Sequence, residues 1–146
     1  MNAQTNEKEI AVIVGGGPGV SASCARRFSR DGMRVVVVAR NPDTPALVEL
    51  EAECGIIRRS CDATKAESVA ALFDSVEEEF GTPRLVVHNI DGRFAEIFRK
   101  DITDADPSHV AQVFENSALS AFLVGQHAAR CMLASDIPEG GQRGTI

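Results

Sequence analysis

Ten residues near the N-terminus, Ile10–Gly19, constrain this fold more than any other stretch. Ile-Ala-Val-Ile-Val runs straight into Gly-Gly-Gly-Pro-Gly, and a helical pattern resumes at Val20. An unbroken apolar run of strand length reads as a strand buried on both faces, which is the habit of parallel sheets. Strand, glycine turn and helix in that order aim the first unpaired helical N–H groups, and the positive end of the helix dipole, back at the turn. Such a place is an anion site, and a pyrophosphate is its usual guest. Glycine is needed because a Cβ in the turn would push the phosphates away or strike the backbone. The feature implies nucleotide binding and names no reaction.

The rest of the chain repeats the alternation. Ile10–Val14 reads as the first strand. Val20–Asp31 reads as a helix with Val20, Cys24 and Phe28 on one face, stopped at Gly32. Arg34–Ala39 contains four consecutive valines and reads as a central strand. Asn41-Pro42-Asp43 starts a short helix ending near Cys54, and the less apolar Ile56–Ser60 suits a strand nearer the sheet edge. Thr64-Lys65-Ala66-Glu67 has the capping-box pattern and opens a helix with Val69, Leu72, Phe73, Val76 and Phe80 on one side. Gly81-Thr82-Pro83 ends it, and Leu85–Val87 is the fourth strand. Asp106-Pro107 reads as a cap and first helical residue, opening a long helix. Its single face carries Val110, Val113, Phe114, Ser117, Ala121, Val124, Ala128, Cys131 and Met132. Gly144-Thr145-Ile146 resembles the opening of a fifth strand. The expected fold is α/β: three layers, with a doubly wound parallel sheet and right-handed crossovers. Residues 1–9 are expected to be a disordered polar leader and residues 10–146 an incomplete dinucleotide-binding domain. A sheet ending at Leu85–Val87 would leave an apolar edge, so either the native chain continues or the edge pairs with something else.

Composition excludes several partners. At 146 residues the chain is one domain with room for a real core. Its net charge of −6 leaves no basic stripe for nucleic acid. Arg26, Arg27, Arg30 and Arg34 read as a solvated helix face and end. No apolar stretch has the length of a membrane span. Cys24, Cys54, Cys61 and Cys131 form no Cys-x-x-Cys pair, which argues against a metal site or disulfide framework and for a reducing cytoplasm. His109 and His127 are eighteen residues apart and suggest no shared metal.

Gly15-Gly16-Gly17-Pro18-Gly19-Val20, Arg40 after the second strand, Cys61-Asp62-Ala63 after the third and His88-Asn89-Ile90-Asp91 after the fourth together resemble the short-chain dehydrogenase/reductase family. Phe122-Leu123-Val124-Gly125-Gln126 extends the similarity, which covers the first half of a typical member. The resemblance implies a Rossmann-type fold and a phosphate-binding turn over Gly15, Gly17, Pro18, Gly19 and Val20. It implies an adenine contact at Asp62-Ala63 and a further coenzyme contact at Asn89-Ile90. Ser21 stands where the family has its third glycine, where it would crowd the helix or offer a hydroxyl to phosphate. Asp91 would bring a negative charge near the coenzyme. The family's structural-catalytic asparagine falls at Ser117, with Asn116 on a different helical face, and a nearby glycine falls at Ser120. The family's catalytic serine, tyrosine and lysine lie beyond the fifth strand, and this chain has no tyrosine. The resemblance therefore implies no normal turnover from this polypeptide alone. Members commonly dimerise through the long helix, so a homo-oligomer or self-associating protein is expected.

Coenzyme choice can be read from the residues. The adenosine ribose of a nicotinamide dinucleotide lies near the end of the second strand, where a carboxylate would accept its hydroxyls and repel a 2′-phosphate. Ala39-Arg40-Asn41 stands there instead. A guanidinium suits a phosphate, which favours NADP(H) over NAD(H). Other readings stay open at this point: a solvated Arg40, a plain turn at Asp62, and His88 as a strand-end histidine with a backbone partner. So do three functional classes: the coenzyme-binding part of an oxidoreductase, a non-catalytic dinucleotide-binding or interaction module, and a different Rossmann enzyme such as a flavoprotein or methyltransferase.

Overall fold

The computed structural model describes residues 8–137 and 141–146. The expectation of a leader falls mostly on residues 1–7, outside the described residues. Glu9, at its end, already accepts a hydrogen bond from the Arg34 N–H through its carbonyl.

Four strands, β1 (Ile10–Val14), β2 (Arg34–Ala39), β3 (Ile57–Ser60) and β4 (Leu85–His88), pair in parallel in the order β3-β2-β1-β4. The register sets Val12 beside Val36 and Val86, and Ile13 beside Val37 and Val87. Period-two alternation sends these residues to opposite faces. Val12, Val14, Val36, Val38 and Val86 pack against Val69, Leu72, Phe73 and Val76 of α3 (Ala66–Phe80) and Val124, Ala128 and Cys131 of α6 (Ser120–Ala134). Ala11, Ile13, Val35 and Val37 pack against Ala22 and Ala25 of α1 (Val20–Arg30) and Leu47 and Leu50 of α2 (Pro45–Cys54). Both faces of the sheet are covered, which gives the three expected layers. The polar β3 lies at one edge, as its composition suggests. At the other edge Thr145 bridges in parallel to Leu85, donating to the Arg84 carbonyl and accepting from the Val86 N–H. Arg84 donates to the carbonyls of Gln142 and Arg143, and Arg143 donates to that of Leu133 at the end of α6.

Local departures from the expectation have local causes. Helix α2 begins at Pro45 rather than near Asn41, because the Asn41 side chain accepts from the Asp43 N–H and holds a turn first. The Thr64 capping box does not form: Thr64 turns back to donate to Asp62, and α3 starts one residue later behind Lys65 with no side-chain cap. Helix α1 buries Ser21, Ala22 and Ala25, while Val20 is 63% exposed. The long helix is three pieces, α5 (Pro107–Phe114), a π-helical turn (Glu115–Leu119) and α6. Asp106 caps α5 as expected, accepting from the Ser108 N–H at 2.8 Å. The single apolar face expected along its length is buried only in α6; Val110 and Phe114 of α5 are 38% and 64% exposed. The short α4 (Ala95–Phe98) lies between β4 and α5.

Candidate functional site

A cleft of about 760 Å³ opens at the carboxyl ends of the strands, between the turns that follow β1, β2, β3 and β4. The glycine turn is its floor. Gly15 leaves β1 at φ +105°, and a Cβ there would lie 2.6 Å from the Asn89 carbonyl carbon and closer still to its oxygen. Only glycine allows the turns after β1 and β4 to meet so closely. Gly15 and Gly16 donate their N–H groups to the Val38 carbonyl at 2.9 and 2.8 Å, tying the turn to β2 as well. Gly17 and Gly19 have nothing within 4 Å of where a Cβ would stand, so their faces are open. Helix α1 starts behind Gly19 with no side-chain cap, which leaves first-turn N–H groups for a ligand.

Of the residues singled out above, Gly15, Gly17, Gly19, Val20, Arg40, Asp62, Ala63, Asn89 and Ile90 all line this cleft. Pro18 is not among its lining residues. Arg40 reaches it from the end of β2 and has no carboxylate partner among the described residues. The nearby Asp43 is engaged by Arg58 at 2.6 Å, and Arg58 also holds Glu51 at 2.9 Å. Asp62 both makes a turn and lines the cleft. Its Oδ1 accepts from the Thr64 hydroxyl at 2.8 Å and N–H at 3.1 Å, and these bonds hold its carboxyl below the ordinary value. Beside it Cys61 is buried, its thiol pushed up by burial.

Sequence reasoning missed the roles of several neighbours. Ser21 neither crowds the helix nor reaches outward: 1% exposed, it donates to the Gly15 carbonyl at 2.6 Å and accepts from Asn89 Nδ2 at 2.8 Å. Asp91 brings no bare charge. Arg93 pairs with both its oxygens at 2.9 Å, and Arg93 hydrogen bonds take the Asp91 carboxyl down to about 2. The π-helical turn reverses the expected placing of Asn116 and Ser117. Asn116 lines the cleft and donates to the Gly92 carbonyl at 3.3 Å, while Ser117 bonds back to the Val113 carbonyl at 2.5 Å. Ser120, fully buried, donates to the Asn116 carbonyl at 2.6 Å. Its one proton thus spent, it accepts from His88 Nε2 at 2.8 Å. His88 therefore has this side chain as a partner, and burial pushes the imidazole down. Among the described residues no group of three His, Cys, Asp or Glu is placed to hold a metal. No helix among them is long and apolar enough to cross a membrane.

Comparison with known proteins agrees with this geometry. A family model described as enoyl-(acyl carrier protein) reductase matches residues 16–141. The chain is 29% identical over 129 residues to zerumbone synthase of Zingiber zerumbet, covering 87% of this chain and 48% of that protein. It is 29% identical over 121 residues to the 3-oxoacyl-[acyl-carrier-protein] reductase MabA of Mycobacterium tuberculosis, covering 83% and 44%. A variant of actinorhodin polyketide ketoreductase, solved with NADPH, superposes with a TM-score of 0.74 at 27% identity, over 85% of this chain and 47% of that one. The chain spans about half the length of the curated relatives it matches.

Proposed function

The chain belongs to the short-chain dehydrogenase/reductase family, and from its cleft we propose that it is the coenzyme-binding portion of an oxidoreductase that prefers NADP(H). The observation that carries this reading is the meeting, in one cleft, of an uncapped helix N-terminus behind open glycines and an arginine that forms no salt bridge among the described residues. The donor set fits a dinucleotide. Gly17, Gly19 and the first turn of α1 would hold the pyrophosphate. Arg40 would take the 2′-phosphate, and Asp62 with Ala63 would border the adenine. Asn89 and Ile90 would carry the coenzyme past the end of β4. When bound, the coenzyme supplies hydride chemistry at a carbonyl or alcohol carbon. This chain's own part is to bind and orient, because without a tyrosine it lacks the family's proton donor. By this reading it does not turn over alone.

The test is a titration of the purified chain with NADPH and with NADH, followed by nicotinamide fluorescence, in wild type and Arg40→Ala. Preference for NADPH that Arg40→Ala abolishes is the expected result. Equal losses for both coenzymes remove Arg40 from the reading, and binding of neither removes the reading itself. Exposed Phe114, Leu119 and Phe122 favour self-association through the α5–α6 rod, which sedimentation velocity measures. The free thiols suit a reducing, cytoplasmic setting.

A further inference from the structure

One buried hydroxyl joins the two turns that form the floor of the cleft. Ser21, in the first turn of α1, donates to the Gly15 carbonyl at 2.6 Å and accepts from Asn89 Nδ2 at 2.8 Å. The backbone makes a parallel tie, with the Asn89 N–H donating to the Val14 carbonyl at 2.8 Å. Proton arithmetic makes the side-chain contact directional. A serine hydroxyl has a single proton, and a carbonyl can only accept. Ser21 therefore spends its proton on Gly15 and can only accept from position 89. That requirement selects one of the two orientations of the Asn89 carboxamide, with its NH₂ toward Ser21. Asn89 is exposed and lines the cleft, and its Oδ1 has no protein donor among the described residues.

We propose that Ser21 is a positioning residue for the dinucleotide, its hydroxyl setting the Asn89 carboxamide so that the cleft presents an oxygen acceptor to a ribose hydroxyl of the coenzyme. The inference rests on the coenzyme reading above and adds to it a donor-specific contact. It also gives the serine at this position a use: a glycine there could neither orient Asn89 nor hold the Gly15 carbonyl. Asn89 stands past the end of β4, away from the 2′-phosphate that Arg40 would take. The ribose meant is the one unphosphorylated in both coenzymes, so the contact is blind to that phosphate. Loss of Ser21 must weaken NADPH and NADH by the same factor, whereas loss of Arg40 must weaken NADPH selectively.

The experiment is a double-mutant cycle on the full 146-residue chain, with Ser21→Ala, Asn89→Ala and both together, titrated with NADPH and NADH. Ser21→Ala is expected to lower affinity for each coenzyme about tenfold, the worth of one well-placed hydrogen bond. The double variant is expected to be within about twofold of Asn89→Ala, because the two residues act as one. Wild-type protein that binds neither coenzyme overturns the coenzyme reading, and this inference with it. Wild-type binding with unchanged affinity in Ser21→Ala, or with additive losses in the cycle, overturns this inference alone. If Ser21→Ala does not fold, hydrogen exchange of the wild-type side-chain amides decides. Asn89 NH₂ protons exchanging more slowly than those of exposed Asn41 support the clamp, and equal rates refute it.

Discussion

Replacing Gly15 by alanine separates what the glycine turn does for the fold from what it does for a ligand. Gly15 has φ +105°, a region that costs an L-residue about 1–3 kcal/mol. The new Cβ would also stand 2.6 Å from the Asn89 carbonyl carbon. Backbone cannot swing aside as a flexible side chain can, and overpacking of this kind costs about 1–3 kcal/mol more. Against these stands the lower entropy of the unfolded alanine chain, about 0.4–1 kcal/mol in the variant's favour. The net expectation is a loss of about 1–5.5 kcal/mol. At a urea slope of roughly 2 kcal/mol per M, the unfolding midpoint falls by about 0.5–3 M. Gly17→Ala is the matched control. Its Cβ meets nothing within 4 Å and its φ is not positive, so the midpoint should stay put or rise slightly. The added methyl would instead stand at the cleft and weaken NADPH by tenfold or more. Urea unfolding followed by circular dichroism, with coenzyme titration alongside, reads both quantities. The reasoning is refuted if Gly15→Ala unfolds at the wild-type urea concentration, or if Gly17→Ala binds NADPH as wild type does.

Further outcomes follow from burial and titration. Phe73 is fully buried on the face of α3 that packs against the sheet and α6, and Phe73→Ala should cost about 3–5 kcal/mol, seen as a drop in Tm of roughly 6–20 °C. The unfolded His88 imidazole titrates near its ordinary value of 6.5, and the folded one lower because burial disfavours its charge. Between those values the unfolded chain binds more protons, so stability should fall as pH drops through that window and level off below it. His88→Gln should remove that slope, and a variant with the same pH dependence in urea unfolding would contradict the assignment. Burial, with Glu77 beside it, pushes the Cys131 thiol up to about 12, and Cys61 is also raised. Iodoacetamide at pH 8 should therefore alkylate Cys24 and Cys54 first, as peptide mass spectrometry would show.

The sheet and most of the cleft were legible in the sequence, for a simple reason. Every strand but the edge strand β3 is an apolar run bounded by glycine, proline or polar residues, and a period of two leaves no freedom about which side chains meet. Val12, Val36 and Val86 share a face because they share a parity within paired strands. Glycine spacing placed the turn that floors the cleft, since the chain cannot turn from β1 into α1 without it. Residues that follow strands by one or two positions, such as Arg40, Asp62 and Asn89, fall at the carboxyl edge of a parallel sheet whatever their identity.

What escaped the sequence was decided by competition between partners that are distant in the chain or alternative within it. Thr64 offers its hydroxyl equally to a helix start or to Asp62, and spacing alone favours the wrong one. Ser21 and Asn89 lie 68 residues apart, and nothing short of the folded sheet brings them together. The largest error has the most interesting cause. The family resemblance, counted back from Phe122, puts the asparagine at Ser117, whereas Asn116 is the residue that lines the cleft, and a π-helical turn with its one extra residue lies between α5 and α6. That extra residue frees backbone carbonyls, and buried Ser120 bonds to those of Asn116 and Ser117 at 2.6 and 3.1 Å. His88 at the end of β4 then donates to the same hydroxyl. Ser120 and His88 thus meet beside the widened turn from which Asn116 lines the cleft. Ser120 departs from the family's glycine as a matter of sequence, and its contact with His88, 32 residues away, becomes visible only in the folded chain.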